Sequence, residues 1–181
     1  MTTKRTIGLA FLTPTPGDHW VNQLTGYMSK HKKCHIEIFF ETINQCFSIM
    51  WGETAGLRQK NLSNPNYEII TLAVSQKEYD ECLQYCRSVD TQNLIFDDVG
   101  MWLSFFTPGC TGGASQDKGK TFCSKIIAEA LQFADVGEFD NLSPSGSTPS
   151  RLYEAVSRSS RRVCNSVPYK RRDLLTHALV M

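Results

Sequence analysis

Apolar and polar residues alternate along this chain in blocks short enough to name one by one. "TIGLAFL" (6–12) is an apolar run that "TPTPGD" ends, which predicts a strand followed by a turn. "DHWVNQLTGYM" (18–28) carries Trp20, Val21, Leu24 and Met28 at helical spacing, with Asp18 as its expected N-cap. "CHIEIFF" (34–40) and "QCFSIMW" (45–51) read as the two strands of a hairpin around "ETIN", and "YEIITLAV" (67–74) as a further strand. "SQKEYDECLQYCRSV" (75–89) opens with Ser75 and Glu78 at capping-box spacing and continues with Tyr79, Cys82, Leu83 and Cys86 as an apolar stripe. "FDDVGMWLSFF" (96–106) predicts a shorter helix, and "TPGCTGGASQDKGK" (107–120) a glycine-rich loop. In "TFCSKIIAEALQFA" (121–134) Thr121 is the expected cap, and Ile126, Ile127, Ala130, Leu131 and Ala134 form the expected buried face, with Cys123 off it. A turn-rich "NLSPSGSTPS" leads to a last helix, "RLYEAVSRSS" (151–160). The expected class is α+β, an antiparallel sheet packed against helices.

Composition adds constraints. At 181 residues, 41% hydrophobic and 20% charged, the chain suits one domain with a full core. A net charge of +1 gives no general attraction for nucleic acid, so no specific nucleic-acid partner is expected. The charge is uneven, since seven Lys/Arg lie between Arg151 and the end against two acidic residues. The expected division is a catalytic domain at 1–155 and a basic C-terminal tail at 156–181, part of or packed on that domain. A solvated terminus is the simpler reading of the tail, and weak contact with anionic surfaces the other. No stretch is long and apolar enough for a membrane span or a signal peptide, so a reducing, cytoplasmic setting is expected. Seven cysteines, an odd number, fit free thiols there better than a disulfide framework. Cys82 and Cys86 lack the second pair that a metal site needs, and core packing accounts for them.

Of the free thiols, Cys123 stands out by position. With Thr121 as cap it occupies the first helical turn, where unpaired backbone N–H groups favour an anion, and the thiolate is the attacking form of cysteine. A small buried hydrophobe is the alternative reading of the same residue. The candidate bases are His19, His31, His35 and His177. His31 lies in the basic "SKHKK", His177 in the tail, and His19 at a helix start that disfavours imidazolium. His35 opens an apolar strand that would fix its ring, as Cys–His catalysis requires; a hydrogen-bonded sheet histidine is the alternative. Two carboxylates are candidates to orient that ring. Glu37 shares its strand face, and Glu53 is placed to return beside it at the end of the hairpin.

The order of these segments resembles the circularly permuted, papain-like branch of the NlpC superfamily, of the YiiX type, with lecithin:retinol acyltransferase-like enzymes as more distant relatives. "PGDHWVNQLTGYMS" is similar to that family's Gly-Asp start and helix, and "CHIEIFF" to its histidine strand. "LIFDDVGMWLSFF" is similar to its Tyr-Asp-x-x-Gly helix opening, with Phe96 for tyrosine and Gly100 kept. "TFCSKIIAEAL" resembles its nucleophile helix, and "LSPSGS" its Ser-Pro segment. The similarity runs from Ile7 to Ala155; Lys125 stands where the family usually has glutamate, and "WGETAG" departs from its pattern. The resemblance implies a permuted papain-like domain with Cys123 as nucleophile, His35 as base and Glu53, or alternatively Glu37, as orienting residue. It implies thiol hydrolase or acyltransferase chemistry on a peptide-like amide or a lipid-like acyl ester, without metal or organic cofactor. A catalytically silent lipid- or protein-binding module on the same fold is the alternative.

Overall fold

The 6–12 run lies inside the sheet, between two other strands. In the computed structural model, which describes residues 4–106 and 119–163, β1 (Lys4–Leu12) pairs antiparallel with β2 (His35–Phe40) on one side and with β5 (Tyr67–Ser75) on the other. β3 (Gln45–Ser48) and β4 (Gly56–Arg58) extend the sheet beyond β2 in the order β4-β3-β2-β1-β5. Strand periodicity sorts the side chains. Ile36, Ile38 and Phe40 of β2 join Ile7, Leu9 and Phe11 of β1 in the main core, so His35, Glu37 and Phe39 project to the opposite face. That face is covered too, and all six residues of β2 are buried.

Helices α2 (Gln76–Asp90) and α4 (Cys123–Phe133) pack on the core side, and α2 shows the expected capping box and buries Tyr79, Cys82, Leu83 and Cys86. α4 buries Ile126, Ile127, Ala130 and Leu131 as expected, but Cys123 and Ala128 as well, so the helix is enclosed nearly all round. α1 (Trp20–Met28) departs from expectation. It buries Val21, Thr25 and Gly26 and leaves Trp20, Leu24 and Met28 exposed. Gly26 explains the rotation: the Cγ of Pro14 occupies the space a Cβ would need, so α1 lies directly against the turn that follows β1. Its N-cap is His19, whose Nδ1 accepts from Val21 N–H, while Asp18 turns back to the amide and hydroxyl of Thr15.

A small parallel pair, β6 (Ile95–Phe96) with β7 (Lys120–Thr121), precedes α3 (Asp98–Phe106) and α4 in turn. α5 (Pro149–Arg158) starts at Pro149 behind a Thr148 cap, and residues 161–163 then hydrogen-bond along the free edge of β5. The first residues of the expected tail therefore belong to this domain. Arg151, Arg158, Arg161 and Arg162 all bond within it, Arg158 to Glu154 and Arg161 to Glu78. Residues 107–118 of the glycine-rich loop and residues 164–181, with Cys110, Cys164, His177 and the remaining basic residues, lie outside the described residues. The architecture is mixed α+β, an antiparallel five-stranded sheet packed with helices. No helix among the described residues is long and apolar enough to cross a membrane.

Candidate active site

The start of α4 is fixed from three sides. Phe122, fully buried with Val21 and Met101, holds the chain extended for one residue more than the sequence suggests. The N-cap is therefore Phe122 rather than Thr121, no side chain caps the helix, and Cys123 is its first residue. Thr121 instead sits in β7, where its carbonyl accepts from the Asp97 amide at 2.7 Å. Behind the cysteine, Ser124 Oγ donates to the Ser147 carbonyl at 2.8 Å. The thiol is thus mounted on a rigid turn whose backbone N–H groups have no side-chain acceptor.

His35 opens β2 opposite Leu12, and it lines the same cavity as Cys123, with which its imidazole interacts. Nε2 lies 3.3 Å from Oε1 of Glu37, at ion-pair range but not aligned as a hydrogen bond. Both partners are buried, His35 at 3% and Glu37 at 1% exposure. Burial pushes the imidazole toward its neutral form, but the interaction with Cys123, then that with Glu37, outweigh it and raise its pKa from 6.5 to about 9. For Glu37, burial likewise opposes ionisation. His35 and Lys60 overcome it and bring the carboxyl down to about 2.

Glu37 gathers its partners from three other segments. Tyr67 of β5 donates to Oε1 at 2.7 Å, the ammonium of Lys60 pairs with the same oxygen, and Cys46 of β3 lies close enough for the carboxylate to help burial push its thiol up to about 12. Glu53 is elsewhere. β3 ends at Ser48, the chain leaves the sheet through a turn, and the Glu53 carboxylate, 46% exposed, pairs with Arg58. The structure thus brings together Cys123, His35 and Glu37 and keeps Glu53 apart, because the return strand stops three residues short of Trp51 and does not carry Glu53 back to His35. Tyr67 is brought to the site by register: it faces Leu12 in the sheet as His35 does from the other side. Nothing in the sequence pointed to Lys60.

The other histidines take different roles. His19 caps α1 and stacks on Trp51 at 4.8 Å, and His31 lies 3.8 Å from Glu154 beside Tyr153. The thiol faces a small cavity of about 20 Å3, lined also by Asn22, Thr25, Cys34, His35 and Met50. Trp51 and Phe96 divide it from a larger cleft of about 300 Å3 that reaches Glu53, Ile95 and Asp98. Burial, then the charge of Cys123, pushes the Cys34 thiol up to about 12, so it stays protonated beside the site. Cys34, Cys46, Cys82, Cys86 and Cys123 are all free thiols. Among the described residues no three of His, Cys, Asp and Glu gather as a metal site. No protein-family model and no curated protein sequence matches the chain.

Proposed function

We propose that the protein is a cysteine hydrolase or acyltransferase on a permuted papain-like, NlpC-type domain. Cys123 attacks a carbonyl carbon while its proton is held on His35, and His35 returns that proton to the leaving group. Glu37, rather than Glu53, orients the ring and stabilises the imidazolium. The resulting thioester is resolved by water or by an acceptor. The observation that carries this reading is the thiol on an uncapped helix start beside an imidazole whose Nε2 faces a buried carboxylate. The 300 Å3 cleft beyond Trp51 and Phe96 is the natural seat for the substrate, a peptide-like amide or a lipid-like acyl ester. The test is mass spectrometry after incubation with p-nitrophenyl acetate. An acetyl group on Cys123 is expected, absent in Cys123→Ala and strongly reduced in His35→Ala; acetylation spread over other residues, unaffected by either substitution, would count against it.

One observation favours a second reading, a silent lipid- or protein-binding module. Trp20 on α1 and Val99, Leu103 and Phe106 on α3 are exposed, on the two helices whose Val21 and Met101 pack against Phe122. It predicts binding to phosphatidylcholine vesicles that Cys123→Ala leaves unchanged, together with a Cys123 that no acyl donor modifies.

A further inference from the structure

The cavity at the thiol holds two polar side chains that the scheme above leaves unused. Asn22 and Thr25 stand one turn apart on α1 and both line it. Thr25 is 1% exposed, and its hydroxyl has no hydrogen-bond partner among the described residues. Buried hydroxyls are ordinarily bonded, so an orphan one beside a nucleophile asks for an explanation. Asn22 is half-buried, its backbone held in the first turn of α1 by a 2.9 Å bond to the His19 carbonyl. α1 itself is locked in place. His19 caps it, Gly26 seats it against Pro14, and Val21 packs on Phe122, the residue just before Cys123. A third donor is the N–H of Cys123, which as the first residue of α4 has no intrahelical acceptor.

We infer that Asn22, Thr25 and the backbone N–H of Cys123 form the oxyanion hole of this site, with Asn22 and Thr25 as catalytic residues. The assignment rests on the thiol-enzyme reading above. As the Cys123 sulfur bonds to an ester carbonyl carbon, the carbonyl π electrons move to oxygen. The three neutral donors bond that oxyanion, which carries more charge than the ground-state carbonyl. Collapse re-forms the carbonyl, breaks the bond to the leaving alcohol and leaves the thioester, with the thiol proton on His35 passing to the leaving group where that group is basic. The orphan hydroxyl of Thr25 then has its partner only while the reaction is under way.

Two reagents separate this role from a structural one. p-Nitrophenyl acetate acylates through an oxyanion, whereas iodoacetamide alkylates by displacement at a saturated carbon and makes none. In Asn22→Ala and in Thr25→Val, acylation of Cys123 should fall roughly 100-fold while alkylation stays within about twofold of wild type. Thr25→Ser, which keeps the hydroxyl, should retain most of the acylation rate. Parallel losses in both reactions, or acylation unchanged in both variants, would overturn the assignment. So would a wild-type protein that iodoacetamide alkylates but the ester does not acylate. A Cys123 that neither reagent marks would instead overturn the thiol reading on which the hole depends.

Discussion

Helix α2 has its N-cap at Ser75 and helix α4 at Phe122, in the same core and against each other, yet their first turns are finished differently. At α2 the serine hydroxyl accepts from the Glu78 amide at 3.2 Å, and the Glu78 carboxylate accepts from the Ser75 amide at 2.6 Å. Arg161 then pairs with that carboxylate at 2.7 Å. Every feature there closes the helix end and favours folding. At α4 the capping position is given to an aromatic ring that fills the core between α1 and α3, and the first helical residue is a cysteine. Among the described residues no side chain caps its first N–H groups. The difference teaches where stability has been given up: an uncapped helix end forgoes about 1 kcal/mol, and it does so at a thiol that also faces an imidazole.

The comparison breaks first at the nucleophile. Cys123→Ala should abolish ester acylation while circular dichroism and the cooperative thermal transition persist, because a small apolar side chain still fills the site. Loss of the fold would instead make Cys123 a packing residue like Cys82. His35→Ala should lower the acylation rate by about 10²- to 10⁴-fold, the range for removal of a general base. Glu37→Gln should cost less, and it should move the alkaline limb of the rate profile below the wild-type position near pH 9, since the charge that holds the imidazolium is gone. Ser75→Ala should leave the acylation rate alone and lower stability by about 1 kcal/mol, read as a fall of roughly 2–4 °C in Tm. Glu53→Gln should change neither.

The same pair sets a pH dependence of stability. His35 has a raised pKa, so its contribution is complete below the ordinary value of 6.5 and is lost as pH rises through about 9. Glu37 has a lowered pKa, so its contribution is complete above 4.5 and is lost as pH falls toward about 2. Their joint contribution is therefore greatest between those ordinary values. Lys60→Met should sharpen the point. Removing the ammonium that shares Oε1 leaves His35 as the one cation among the described partners of the carboxylate, beside the neutral Tyr67 hydroxyl, so the histidine limb should move upward. NMR titration of the His35 ring would show it, and an unchanged midpoint would make Lys60 a surface tether.

What the sequence made legible follows from how local each signal is. The capping box and stripe of α2 are written within fifteen residues, and they appear as read. Cys123 and His35 were singled out by element type, the start of a helix and the start of a strand, and the fold supplies their meeting. The orienting carboxylate turned on a register. A hairpin running to Trp51 would have carried Glu53 back to His35, but β3 stops at Ser48 and Arg58 takes the carboxylate instead. The short strands β4, β6 and β7 escaped because two or three residues carry no periodicity. The caps of α1 and α4 shifted by one residue for tertiary reasons. Asp18 is spent on the turn before α1, and Phe122 is drawn into the core.

The most direct test of the account is the alkylation of Cys123 by iodoacetamide as a function of pH, followed residue by residue by mass spectrometry in wild type and in His35→Ala. The account predicts that Cys123 reacts near pH 6.5 well ahead of Cys34 and Cys46, whose thiols are pushed up to about 12, and that the rate there falls by roughly tenfold or more when His35 is removed, as the loss of a stabilising charge requires. A Cys123 as inert as its buried neighbours, or one that reacts identically without His35, would contradict it.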